Sequence, residues 1–227
     1  MSAITEFDKT LTDEIQELLS VYNDTLPSDV MSVINKATKD LIKSGVGDRC
    51  LKEGDYIPEF SLPDAYGNFV SSKSLLNKGP LVLSFYRGSW CTFCNLELSA
   101  LQQRLSDIHE LGAELVAITP EKADRSLVLL EKNNIKYPIL SDSGNKVSKE
   151  FKLTFPVANE LRSIYEDVFN LDIPESNGDD SYELPVTATY VVGVDGQIIH
   201  AQTSADLTYR MEPAEIIDVL QMHMVTI

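Results

Sequence analysis

Long apolar runs are missing from this sequence. No stretch approaches the roughly 20 consecutive apolar residues that a membrane-spanning helix requires, and the opening Met1-Ser2-Ala3-Ile4-Thr5-Glu6-Phe7-Asp8 has neither the basic start nor the apolar stretch of a secretory leader. A cytoplasmic address with no membrane partner is the expectation. Basic residues are in the minority: 19 Lys and Arg face 35 Asp and Glu, a formal charge of -16. That balance disfavours phosphate backbones, so nucleic acid is not an expected partner. Cysteine is scarce and odd in number. Three cysteines in 227 residues do not make a disulfide-stapled scaffold. Cys50, His109, His200 and His223 are too scattered to complete a four-ligand zinc site around the remaining pair, Cys91 and Cys94. No metal site is expected.

The hydrophobic content of 43% in a chain of this length suits one substantial core and falls short of two full-sized domains. Ile4, Phe7, Leu11, Ile15, Leu18, Leu19 and Tyr22 recur at spacings of three and four, the mark of an amphipathic helix. After Leu26-Pro27, Ser28 is placed to cap a second helix carrying Val30, Ile34 and Leu41, with Gly45 as its stop. Residues 1–49 therefore read as a helical extension, packed on its own domain or a dimer partner, or serving as a regulatory lid. Residues 50–227 read as the main domain.

From Gly54 onward the pattern alternates strand and helix. Leu81 to Tyr86 is an apolar run, interrupted only by Ser84, suited to a central strand, and the spacing predicts a helix from about Thr92 to Leu111. A strand over Leu115–Thr119, a helix over roughly 121–134, a strand over Tyr137–Leu140 and a short helix near Lys146–Phe151 continue the series. Residues 156–183 read as an inserted helix and a polar surface loop. Strands over Ala188–Val194 and Gln197–Gln202 flank the two-residue turn Asp195-Gly196, and Pro213 opens a last helix ending near His223.

The chemistry sits at Trp90-Cys91-Thr92-Phe93-Cys94. A reactive cysteine must be a thiolate near neutral pH, and the free amides and dipole at a helix start favour negative charge. Two intervening residues put both sulfurs on one helical face, so one can attack and the other can resolve the product as an internal disulfide. The setting, after an apolar strand and before a long helix, is that of a thioredoxin-like redox site.

The segment from about Gly54 to Ile199 resembles the alkyl hydroperoxide reductase and thiol-specific antioxidant group of peroxiredoxins. It is most similar to a branch bearing Phe-Tyr-Arg-Gly-x-Trp-Cys-x-x-Cys-Asn-x-Glu-Leu, here Phe85 to Leu98. Gly54-Asp55-x-x-Pro58-x-Phe60-x-Leu62-Pro63 ahead of it and Ala188 to Gly196 behind it carry the resemblance further. It implies an α/β thioredoxin-like fold, a central mixed sheet flanked by helices, preceded by the helical extension.

In the family pattern Pro-x-x-x-Thr-x-x-Cys, the proline position falls on Arg87, the threonine on Cys91 and the peroxidatic cysteine on Cys94, with Glu97 following. The family's catalytic arginine, expected just before Ala188-Thr189-Tyr190, has no counterpart in Glu183 to Thr187. Read as thioredoxin instead, Cys91 becomes the attacking thiolate and Cys94 the resolver, with Thr187 where a cis-proline would face the disulfide. Arg87 is near enough in sequence to lower a thiol pKa, or is an exposed strand-end residue. Trp90 and Phe93 form either an apolar platform for substrate or packing. Glu97 is either a proton relay or a solvated helix-face charge. Cys50, in an apparent loop, reads as a bystander.

The resemblance implies a thiol-dependent peroxidase with a hydroperoxide substrate, no bound cofactor, a thioredoxin-like or low-molecular-weight thiol as electron donor, and a homodimer. The alternatives are a thioredoxin-like oxidoreductase acting on disulfides without peroxidase activity, and a non-catalytic redox-sensing or binding protein.

Overall fold

The computed structural model describes residues 9–225; Ile4 and Phe7 of the first apolar stripe lie outside them. Helix α1 (Leu11–Thr25) starts at a reciprocal cap: the Asp13 amide donates to the Thr10 hydroxyl, and the Asp13 carboxylate accepts from the Thr10 amide. Its Leu11 and Ile15 are buried. Helix α2 (Ser28–Lys43) follows, but Ser28 is its first residue and caps nothing; Pro27 occupies the cap position without a side-chain bond. Gly45 ends the turn as expected, at φ 68°, and leads into α3 (Val46–Arg49), closed by Cys50.

Strands β1 (Ser61–Pro63) and β2 (Phe69–Ser71) form a hairpin whose turn is organised by Asp64, which accepts from the amides of Tyr66 and Asn68. Helix α4 (Ser72–Leu76) precedes β3 (Leu81–Phe85), buried along its whole length. The expected helix over 92–111 is two: α5 (Thr92–Gln103) and α6 (Leu105–Glu110). They meet at Arg104, whose amide turns to the Leu101 carbonyl three residues back. Leu101, Leu105 and Ile108 stay buried across the break, so the apolar period reads straight through it.

The chain continues with β4 (Glu114–Thr119), α7 (Ala123–Lys132), β5 (Ile139–Ser141) and α8 (Lys146–Glu150). The segment read as one inserted helix and a polar loop is more ordered. It comprises β6 (Thr154–Pro156), α9 (Asn159–Asp167), α10 (Ile173–Asn177) and β7 (Glu183–Pro185), with β6 and β7 paired antiparallel. Asp172 caps α10 by accepting from the Glu175 amide, which draws Ser176 and Asn177 into the interior.

Strands β8 (Thr187–Val192) and β9 (Ile198–Ser204) form the last hairpin, and α11 (Pro213–Val225) closes the described chain. The hairpin turn is longer than two residues: the Gly193 amide donates to the Gln197 carbonyl, and the ladder shifts register between Val191 and Val192.

The main sheet runs β5-β4-β3-β8-β9. Strands β3, β4 and β5 are parallel, and β8 and β9 join antiparallel, making the sheet mixed. Because side chains alternate across the pleat, Val82, Leu115, Ala117 and Val191 face a core closed by α1, α5, α6 and α11. Leu81, Leu83, Phe85, Val116 and Tyr190 face another, closed by Phe60, Phe151, Phe155 and Leu184. The architecture is the thioredoxin-like α/β fold, and it brings β3 and α5 end to end.

Candidate active site

The link from β3 to α5 is Tyr86-Arg87-Gly88-Ser89-Trp90. Gly88 is required there: a Cβ at that position would run into the Trp90 ring and the Glu121 carboxyl. Cys91 is the N-cap of α5 and Cys94 lies in its first turn. The two are joined as a disulfide, and the Cys94 amide donates to the Cys91 sulfur at 3.3 Å. Both sulfur-bearing residues are closed off, Cys91 at 3% and Cys94 at 0% exposure.

Arg87 lies beside the first sulfur. Its Nη2 donates to Cys91 Sγ at 3.1 Å and its Nη1 to Tyr165 Oη at 3.3 Å. The guanidinium lies over the Trp90 ring, 5.2 Å from the centroid, and Trp90 in turn meets Tyr165 edge-on. Arg87 is buried, which corrects its reading as an exposed strand-end residue. Among the described residues no carboxylate lies within 4 Å of it. Trp90 itself is half-buried.

The second sulfur faces Arg210, between β9 and α11. Its Nη2 lies 3.9 Å from Cys94 Sγ, and its Nε is 2.7 Å from Glu97 Oε2. Glu97 also accepts from Thr189 Oγ1 at 2.9 Å. Both members of the ion pair are buried, so the solvated helix-face reading of Glu97 is corrected. Burial pushes the Glu97 carboxyl up, and Arg210 opposes that shift; burial pushes Arg210 down, and Glu97 holds it up. Sequence reasoning missed Arg210. It occupies no position in the family pattern, and nothing in Tyr209 to Pro213 marks it locally.

Helix α1 covers this side. Leu11 and Ile15 share a core cluster with Cys91, Phe93 and Cys94. The Tyr22 ring meets Phe93 edge-on at 5.6 Å, and its hydroxyl bonds to Thr92 Oγ1. Glu212, two residues beyond Arg210, accepts from the amides of Leu11 and Thr12. Phe93 is thus buried against α1.

Thr187 is buried at the start of β8. Among the described residues its hydroxyl has no hydrogen-bond partner, and neither sulfur receives a hydrogen bond from it. Cys50 is distant in role. Its thiol donates to the Val46 carbonyl at 3.2 Å, and burial pushes its pKa up to about 11. A further buried carboxylate, Glu121, was not anticipated from sequence. It accepts from the Ser89 amide and from the hydroxyls of Ser89 and Ser176, and burial pushes its pKa up.

A family model described as the AhpC/TSA family matches residues 54–201. Peroxiredoxin Bcp of Escherichia coli strain K12 is 28% identical over 101 residues, spanning 44% of this chain and 64% of that protein. The crystal structure of peroxidoxin BcpB from Mycobacterium tuberculosis superposes with a TM-score of 0.60 at 21% identity, covering 76% of this chain and 97% of that one. The reduced 2-Cys peroxiredoxin of Plasmodium vivax superposes with a TM-score of 0.58 at 21% identity, covering 76% of this chain and 83% of that one.

Proposed function

The chain belongs to the AhpC/TSA family, and from that premise we propose that it is a thiol-dependent peroxidase whose peroxidatic residue is Cys94 and whose resolving residue is Cys91. One observation carries this reading: each sulfur of the helix-start pair has its own buried guanidinium, Arg210 on Cys94 and Arg87 on Cys91. Positive charge beside a sulfur favours its thiolate, and both steps of the cycle use one. The Cys94 thiolate attacks a peroxide oxygen and the O–O bond breaks. The alcohol or water leaves after taking up a proton, and Cys94 becomes a sulfenic acid. The Cys91 thiolate then displaces that oxygen as water and forms the disulfide. An external thiol donor, a thioredoxin-like protein or a small thiol, returns two electrons.

In this reading Arg210 replaces the family's missing arginine, from the far side of the sheet edge, and Glu97 positions Arg210. A homodimer, a cytoplasmic address and the division at residues 49 and 50 belong to the same proposal; the -16 charge and the absence, among the described residues, of a helix able to cross a membrane are compatible with it.

The reverse assignment, with Cys91 attacking a disulfide substrate, draws support from one feature: Cys91 receives both an amide and a guanidinium that no carboxylate neutralises. Stopped-flow oxidation of Cys91→Ser and Cys94→Ser variants by hydrogen peroxide separates the two. Rapid sulfenic acid formation that survives only in Cys91→Ser supports the peroxidase assignment. Rapid exchange with a model disulfide that survives only in Cys94→Ser supports the reverse.

A further inference from the structure

A cleft of about 550 Å³ opens between α2 on one side and β6 and α9 on the other, with Arg87 and Tyr165 in its lining. Val33, Leu41, Phe155 and Leu161 supply apolar wall, and the charged lining is Lys36, paired with Asp40, together with Arg49 and Glu160, so that Arg87 leaves the cleft with one positive charge in excess. Its size suits a small molecule. Arg87 joins the cleft to the disulfide, lining the one and donating to Cys91 Sγ of the other.

Arg87 is an unusual lining residue. It is 4% exposed, its Nε has no hydrogen-bond partner among the described residues, and its neighbours are a phenol, an indole ring and a neutral disulfide sulfur. A buried cation without a counter-anion is costly. When the disulfide is reduced, the Cys91 thiolate becomes that anion; when it is oxidised, the place is open. The cleft thus offers an anion site whose affinity follows the redox state of the sulfurs.

We propose that this cleft binds a carboxylate-bearing low-molecular-weight thiol, which reduces the disulfide from the Cys91 side. The proposal rests on the assignment of Cys94 as the peroxidatic residue. Arg87 lines the cleft and contacts Cys91 Sγ, whereas Arg210, the neighbour of Cys94, does not line it, so a thiol held at Arg87 attacks Cys91 Sγ. The Cys91–Cys94 bond breaks, and Cys94 leaves as a thiolate beside Arg210. A second thiolate attacks the mixed disulfide on its own sulfur, forming the oxidised small thiol and releasing Cys91 as a thiolate beside Arg87. The ligand's carboxylate is then displaced by the new charge, which favours release once the enzyme is ready for peroxide.

Glutathione, 2-mercaptoethanol and S-methylglutathione are the probes, used on the full chain. Per unit of thiolate, glutathione should reduce the disulfide at least about tenfold faster than 2-mercaptoethanol, with the advantage falling at high salt; equal rates overturn the proposal. S-methylglutathione, which keeps the carboxylates and cannot react, should raise the Tm of the disulfide form and leave that of the dithiol form unmoved; an equal shift in both, or none, overturns it. In Ala37→Trp, which fills the half-buried cleft wall, the rate of reduction by glutathione relative to the rate of oxidation by peroxide should fall about tenfold. An unchanged ratio marks the cleft as a peroxide route or as irrelevant, and overturns the proposal. Failure of the wild-type dithiol to react with peroxide counts instead against the peroxidase assignment, because reduction by glutathione is read independently of it.

Discussion

Arg210 Nη2 lies 3.9 Å from Cys94 Sγ, although the two residues are 116 positions apart in the chain. The same guanidinium is tied to Glu97, one turn along the helix from Cys94. Replacing Arg210 by Gln is expected to slow peroxide oxidation of Cys94 by about 10²-fold, the scale of losing one preorganised donor. It should also destabilise the fold by about 3–5 kcal/mol, because Glu97 is left buried and unpaired. The double variant Arg210→Gln/Glu97→Gln should recover most of the stability in denaturant unfolding and none of the rate in stopped flow. Recovery of the rate would reassign Arg210 to a purely structural role.

Thr187 stands where a disulfide-exchange reading would place a functional residue, yet its buried hydroxyl has no partner among the described residues. Thr187→Val should leave both half-reactions unchanged and raise stability by up to about 1 kcal/mol, since a desolvated hydroxyl is removed. A loss of rate without loss of stability would show that Thr187 touches the reacting atoms.

With its pKa pushed up to about 11, Cys50 is about one part in a thousand thiolate at pH 8. Iodoacetamide at that pH should label Cys91 or Cys94 in the reduced folded protein and spare Cys50, as read by peptide mass mapping. Labelling of Cys50 at a comparable rate contradicts the inert assignment.

Burial raises the Glu121 pKa above its ordinary value of 4.5, so the folded state favours the protonated carboxyl. Its contribution to stability is fully present below pH 4.5 and is lost as pH rises through the folded-state pKa, at about 1.4 kcal/mol for each pH unit separating the folded and unfolded values. Glu121→Gln should therefore compare more favourably with the parent protein at pH 7 than at pH 4, in paired urea titrations. A difference that stays constant between those pH values refutes the assignment.

The site was legible wherever neighbours in sequence are neighbours in space. Four apolar residues among the five of β3, a short link and a cysteine pair opening an apolar-periodic helix define a strand-to-helix frame, and the pattern needs no distant partner. Glu97 was misread because a carboxylate between Leu96 and Leu98 is normally solvated unless a partner is buried with it, and that partner, Arg210, lies beyond the last hairpin. Arg104 broke a helix whose apolar period continues unbroken. Strands β6 and β7 are three residues each and both end in proline, which is poor strand signal; their pairing is a tertiary fact.

That pairing has a consequence for how the protein can change. Thr154 sits opposite Pro185, and Pro156 opposite Glu183, so the two ends of the intervening stretch are stitched together beside the main sheet. The stretch between them carries Tyr165, which accepts from Arg87, and Ser176, which donates to Glu121, and it is held elsewhere by the Lys122 amide on the Ser176 carbonyl. A change of length or sequence within it therefore reaches both Arg87 and, through Glu121, Ser89 in the link that carries the cysteines, while the β3–β8 ladder lies outside it.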